Sequence, residues 1–244
     1  MHRFYPDPAL SRDDFEFLTA DDSRHALTVL RLKAGTQVEV ISGGLRWLAE
    51  IVGEENRIVC VRKLSPLPST EPKLAITLFQ GIPKADKMDW IVQKATELGV
   101  SRIIPIAMER SVVRLSEADG RKKTERWQKI SREAGKQCGR CILPEICLPL
   151  SIEQLTAKTD LPGLNVVPWE EADGFGPLAL HNAWPKTDSL GILIGPEGGI
   201  SSREIGMLKS GGFLPMTLGK RILRTETAGI AAVASLMCLY GEME

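Results

Sequence analysis

The sequence predicts an α/β protein in two parts, a small β-rich N-terminal region and a larger region built on a parallel sheet covered by helices. Three observations carry this. Short strand-like runs separated by Gly and Asn turns crowd residues 1 to about 64. Ser65-Pro-Leu-Pro-Ser-Thr-Glu-Pro72 then places three prolines where neither helix nor sheet pairing is expected to continue. Beyond it, strand patterns alternate with helix patterns to the C-terminus, the arrangement of a parallel sheet with both faces covered. The expected domains are residues 1–68 and 73–244.

In the first part, Gln37 to Ser42, Arg46 to Val52 and Arg57 to Leu64 have the alternation or β-branched content of strands, with Ser42-Gly-Gly and Gly53-Glu-Glu-Asn as turns. A helix is expected from about Asp22 to Leu32. Short strands spaced this closely suggest a small barrel. In the second part, strands are expected at Lys73–Gln80, Arg102–Ala107, Leu164–Val167 and Leu190–Ile194, and helices at Ala85–Leu98 and Thr124–Gln137. Ser201-Ser-Arg-Glu204 pairs a hydroxyl with a Glu three residues on, which satisfies the free amides of a first helical turn. Another strand ends at Leu218. Gly229 to Leu239 reads as a small-residue, nearly uncharged buried helix.

Two loops stand out. Gly195-Pro-Glu-Gly-Gly199 and Gly219-Lys-Arg-Ile-Leu-Arg-Thr-Glu-Thr-Ala228 each follow a strand, and the two strands are read as adjacent. Ligands of open α/β sheets sit just beyond the carboxyl ends of the strands. Residues without a Cβ let a ligand approach the backbone closely. Neither loop has the spacing of a phosphate or dinucleotide loop. Gln80-Gly-Ile-Pro-Lys84 also lacks the glycine spacing expected after the first strand of a Rossmann-type methyltransferase. Tight strand-to-helix turns would use glycines in the same way.

The 244 residues are 43% hydrophobic and 25% charged, the balance of an ordinary soluble protein. There is no apolar run of membrane-spanning length and no apolar core in Met1-His-Arg-Phe-Tyr-Pro-Asp-Pro8, so a cytoplasmic location with no membrane partner is the default. Lys plus Arg balances Asp plus Glu at 31 each. The distribution is uneven: between Arg121 and Arg140, many basic residues face only Glu125 and Glu133. Such a stripe can engage phosphates or simply form a solvated helix face. Cys138-Gly-Arg-Cys141 has the C-x-x-C spacing, but only Cys147 lies nearby and no His accompanies it, so no metal is expected.

Gly195-Pro-Glu-Gly-Gly199 with Leu218-Gly-Lys-Arg-Ile-Leu-Arg-Thr-Glu-Thr-Ala228 resembles the ribosomal RNA small subunit methyltransferase E family of the SPOUT superfamily. Lys84-Ala-Asp-Lys-Met88, Gln93-Lys-Ala-Thr-Glu-Leu-Gly99, Arg110-Ser111, Glu133-Ala134, Gln137 and Arg140 extend the resemblance along essentially the whole chain. It implies an N-terminal PUA-like RNA-binding β-barrel and a C-terminal SPOUT α/β domain with a deep trefoil knot. It further implies a homodimer that uses S-adenosylmethionine to methylate N3 of a uridine in 16S rRNA of the assembled small ribosomal subunit, with no DNA partner.

The residues implied to hold the cofactor are Pro168, Ile194, Gly195, Glu197, Gly198, Gly199, Leu218, Gly219, Ile222, Leu223, Arg224, Thr225 and Ala228. Leu218, Ile222 and Leu223 would equally serve as core. Removal of the N3 proton points to Glu226, and stabilisation of the resulting anion to Arg224. The same two residues would also make a local ion pair at a helix start. Arg3, His25, Arg31, Lys84, Lys87, Arg110, Arg132 and Arg140 are the expected RNA contacts. A different RNA target within the superfamily, such as a tRNA ribose, and a non-catalytic RNA-binding factor are the competing readings.

Overall fold

The computed structural model describes residues 1–10 and 15–244, and the chain divides into two compact units. One comprises Met1–Glu71 with Gly135–Ile142, the other Pro72–Ala134 with Leu143–Glu244. The expected single domain over 73–244 is therefore corrected: Gly135–Ile142 packs with the N-terminal part. The Glu71 carboxylate accepts the backbone N–H groups of Cys141 and Ile142, at 2.5 and 3.1 Å, and pairs with Arg140 at 2.9 Å. Such a long-range clasp leaves no periodic trace in a sequence.

In the first unit, β1 (Arg3–Phe4), β2 (Phe15–Phe17), β3 (Gln37–Ser42), β4 (Leu45–Glu55) and β5 (Ile58–Leu67) form a sheet of order β1-β3-β4-β5-β2. Among the described residues the β1–β3 pairing is parallel and the other pairings are antiparallel. Val38 and Val40, Ala49 and Ile51, and Val59 and Val61 alternate onto one buried cluster with Phe4, Leu18 and Ala26, as the two-residue period of strands requires. Helix α1 (Ala20–Arg24), capped by the Thr19 hydroxyl, runs into a π-helical turn over His25–Val29. Arg31, at φ 53°, prevents the helix from reaching Leu32.

The proline-rich stretch departs from expectation, because β5 continues through Pro66, which pairs with Trp47. Among the described residues β2 pairs with β5 over Cys60 to Arg62, so no described strand asks Pro66 for a donor on that side.

The second unit contains β6 (Ala75–Gly81), β7 (Arg102–Ala107), β8 (Glu145–Ile146), β9 (Leu150–Ser151), β10 (Leu164–Pro168), β11 (Ser189–Ile194) and β12 (Phe213–Met216). Every pairing is parallel, in the order β12-β10-β11-β6-β7-β8, with β9 also on β7. The helices are α2 (Lys87–Glu97), α3 (Glu117–Cys138, its last residues counted with the first unit), α4 (Ile152–Thr156), α5 (Pro177–Ala183), α6 (Ser202–Ser210) and α7 (Thr225–Leu239).

Two apolar clusters bury the strands. Ile76, Leu78, Val166 and Ile192 pack with α2 and α7 residues such as Ile91, Val233 and Leu236. Phe79, Ile104, Val167 and Leu193 pack with Ile152 and Leu155 of α4 and Leu208 of α6. Near-continuous apolar strands are the mark of a sheet covered on both faces.

Three details correct the sequence reading. Helix α3 starts at Glu117 rather than Thr124, since Ser116 Oγ accepts the Asp119 N–H at 3.2 Å and caps it. Helix α7 begins at Thr225, four residues before Gly229, so Thr225 and Glu226 sit in a first turn rather than a loop. The strands preceding the two glycine loops are not adjacent, because β10 lies between β11 and β12. Among the described residues, no helix is long and apolar enough to cross a membrane.

Candidate active site

The carboxyl ends of β10, β11 and β12 open into a cavity of about 890 Å³. That volume lies within the range of small-molecule and cofactor sites. One wall is the loop Ile194–Glu197 with Gly199 and Ile200, another is Thr217–Thr225 with Ala228, and a third is Pro168–Asp173. Every residue expected around a cofactor lines the cavity except Gly198. Lys87 also lines it, as does the acidic Glu170-Glu171-Ala172-Asp173 run, which the sequence reading passed over because acidic turns after strands are common.

The glycine loop is held from below. Ser201 caps α6 through a complete capping box, its hydroxyl accepting the Glu204 N–H at 3.2 Å while Glu204 Oε2 accepts the Ser201 N–H at 3.1 Å. Glu204 is only 2% exposed, and its other oxygen accepts the Glu109 N–H at 2.8 Å. Ser201 Oγ donates to Glu109 at 2.6 Å, and Arg110 donates to the Gly198 carbonyl at 3.2 Å. Gly198 lies against Arg110: a Cβ there would meet both the Cβ and the carbonyl oxygen of Arg110 at 2.9 Å. The loop then turns through Gly199 at φ 72°, a conformation L side chains rarely adopt.

The two principal walls are tied together. Thr225 is buried, and its hydroxyl donates to the Gly195 carbonyl at 2.6 Å while accepting Gln80 Nε2 at 2.9 Å. Thr225 thus touches the cavity but spends its hydroxyl on joining α7 to the loop after β11. A second tie is ionic: Lys87 Nζ lies 3.0 Å from Glu197 and 3.1 Å from Glu226. Burial works against ionisation of both carboxyls, and it is outweighed by their own backbone N–H groups and by the Lys87 ammonium, so both are held below the usual carboxylate range. The same two carboxylates raise Lys87 above its ordinary value. All three groups are charged at neutral pH.

Ile222 is 76% exposed on the cavity wall, and Arg224 is exposed beside it. The backbone amides of Leu218, Ile222 and Leu223 make no hydrogen bond among the described residues, and so are available to the edge of a planar ligand. A nucleoside linked to an amino acid fits such a site: apolar faces and backbone groups for the base, with charges of both signs at the rim. No group of His, Cys, Asp and Glu that could hold a metal occurs among the described residues.

The expected RNA contacts divide. Arg140 is 4% exposed and paired with Glu71, so it is corrected to a structural residue. Arg3 is likewise turned inward, paired with Glu39 and donating to the carbonyls of Lys136 and Gln137, where it completes the end of α3. Lys87 is committed to two carboxylates, and Arg110 has one N–H on the glycine loop. His25, Arg31 and Lys84 are exposed, and Arg132 is half-buried. Cys138 and Cys141 form no disulfide among the described residues.

Comparison with known proteins bears on this geometry. Residues 70–237 match an RNA methyltransferase domain family, and residues 18–64 an RNA methyltransferase PUA domain. The chain is 33% identical to the ribosomal RNA small subunit methyltransferase E of Bacillus subtilis, over 90% of this chain and 88% of that one. To its Aquifex aeolicus counterpart it is 34% identical, over 97% and 99%. A ribosomal RNA small subunit methyltransferase E from Neisseria gonorrhoeae, solved bound to S-adenosyl methionine, superposes with a TM-score of 0.86 at 32% identity, over the full length of both chains.

Proposed function

This chain belongs to the ribosomal RNA small subunit methyltransferase E family, and from that premise we propose that it methylates N3 of a uridine in the decoding region of 16S rRNA, on the assembled small subunit. The observation that carries the reading is the cavity at the ends of β10, β11 and β12, with available backbone amides on its wall and Arg224 and Glu226 at the start of α7 beside it. S-adenosylmethionine, held there by Leu218, Ile222, Leu223 and the Gly195–Gly199 loop, supplies an electrophilic methyl group. The knot implied by the family resemblance would be formed by these cavity segments. The first unit would serve as a PUA-like RNA-binding barrel, presenting His25 and Arg31. Mass spectrometry of rRNA nucleosides from a deletion strain tests the activity: an unchanged content of N3-methyluridine would refute it.

The chemistry required of the chain is positioning and removal of one proton. Arg224 is exposed and suited to an anionic uracil or a neighbouring phosphate. Glu226, ionised and fixed by Lys87, accepts the N3 proton directly or through water. A Glu226→Gln variant is expected to methylate slowly even at saturating S-adenosylmethionine, regaining rate as pH rises toward the uridine's own pKa, because solvent then takes the proton. Wild-type single-turnover rates at every pH would remove Glu226 from the mechanism.

The homodimer reading is supported by α7. Thr227, Ser235 and Cys238 are exposed and Ile230, Ala231 and Ala234 are half-buried, a face of small and apolar side chains on a helix that carries almost no charge. Light scattering should return twice the chain mass, and a single-chain mass would exclude the dimer.

A further inference from the structure

We propose that Lys87 is a positioning residue whose ammonium sets the separation of the two loops enclosing the cavity. The inference deepens the cofactor reading above and rests on it only for the ligand used in one arm of the test. Three segments meet at Lys87: the turn leading into α2, the loop after β11 through Glu197, and the first turn of α7 through Glu226. The Lys84 N–H also donates to Glu197, at 3.1 Å, so one carboxylate is gripped from two points on one turn.

That turn is strained. Ala85, between the two gripping residues, has φ 53°, a left-handed conformation that is unfavourable for a residue with a Cβ. Strain of this kind persists only where surrounding contacts over-determine it. Here the contacts on either side of Ala85 are the Lys84 amide and the Lys87 ammonium, which both reach Glu197. The Thr225 hydroxyl joins the same two walls through a neutral bond to Gly195. Thr225 is deep and Lys87 is at the rim, with about a third of its side chain exposed, so Lys87 is the tether that substrates and solvent can reach.

The test uses hydrogen exchange on ligand-free protein and calorimetric titration with S-adenosylmethionine, on Lys87→Met, Lys87→Arg and Glu197→Gln. In Lys87→Met, exchange over residues 194–200 and 224–230 should quicken while the strands keep their rates, and affinity should fall by roughly twofold to fivefold, the worth of one part-exposed ionic tether. Lys87→Arg should restore most of both. Glu197→Gln, which cuts only one end, should loosen 194–200 more than 224–230, and it keeps the test open if Lys87→Met fails to fold. Unchanged exchange in both loops, or an arginine variant as impaired as the methionine one, would overturn the role of Lys87. Absence of S-adenosylmethionine binding by the native protein would instead overturn the cofactor reading, with the exchange arm still deciding Lys87.

Discussion

A Gly198→Ala substitution is expected to reduce S-adenosylmethionine affinity by about a hundredfold or more, while Gly199→Ala costs about tenfold, differences of roughly 2.7 and 1.4 kcal/mol. The order follows from what each new methyl meets. At Gly198 it would stand 2.9 Å from the Cβ and the carbonyl oxygen of Arg110, atoms that no rotamer change can move. Either the loop or the segment following β7 must shift, and that segment is itself anchored by the bond from the Glu109 N–H to buried Glu204. Overpacking of this kind costs about 1–3 kcal/mol even in accommodating cores. At Gly199 the nearest atom is 3.6 Å away, so the cost is confined to holding alanine at φ 72°, about 1–2 kcal/mol. Calorimetric titration of both folded variants decides the matter. Equal or reversed losses would mean that loop displacement does not govern the site.

The second large effect is on stability. Arg140→Ala is expected to destabilise the first unit by about 3 kcal/mol, the low end of what breaking a buried pair costs, because Glu71 would keep its two backbone donors. The Arg140 side chain is 5% exposed and that of Glu71 16%, so solvent cannot replace the lost guanidinium. The Tyr5 hydroxyl, whose pKa burial pushes up, donates to the Arg140 carbonyl at 2.7 Å and is expected to hold the backbone in place in the variant. Chemical denaturation measures the loss. A variant with native stability and selectively weakened binding to small subunits would return Arg140 to the RNA surface, where its position in a basic stretch had suggested it belonged.

Some features of the chain were legible in its sequence and others were not. The strands and helices of the second unit were legible because each buries a face with its own period: Ile76-Thr-Leu-Phe79 and Leu190-Gly-Ile-Leu-Ile194 are covered on both sides, and the box at Ser201 and Glu204 is a local signal of a helix start. The cavity-lining loops were legible because their glycines and apolar residues resemble those of a known family. Other features were hidden for equally physical reasons. Lys87, Arg3 and Arg140 carry charges that could go to solvent, RNA or a buried carboxylate, and nothing within a few residues of each decides which. Pro66 in β5 was unreadable because its tolerance depends on whether a neighbouring strand needs its N–H.

From sequence alone came the alternation of strands and helices, the two-part chain and the placement of a ligand site near the C-terminus, all properties of local period and turn chemistry. Tertiary structure decided that β10 stands between the strands leading to the two loops, that Gly135–Ile142 joins the N-terminal unit, and that Thr225 and Lys87 stitch the cavity walls together. Those outcomes depend on contacts between residues far apart in the chain, such as Glu71 with Arg140 and Lys87 with Glu226, whose partners are selected by burial and charge only once the sheet has brought them within reach.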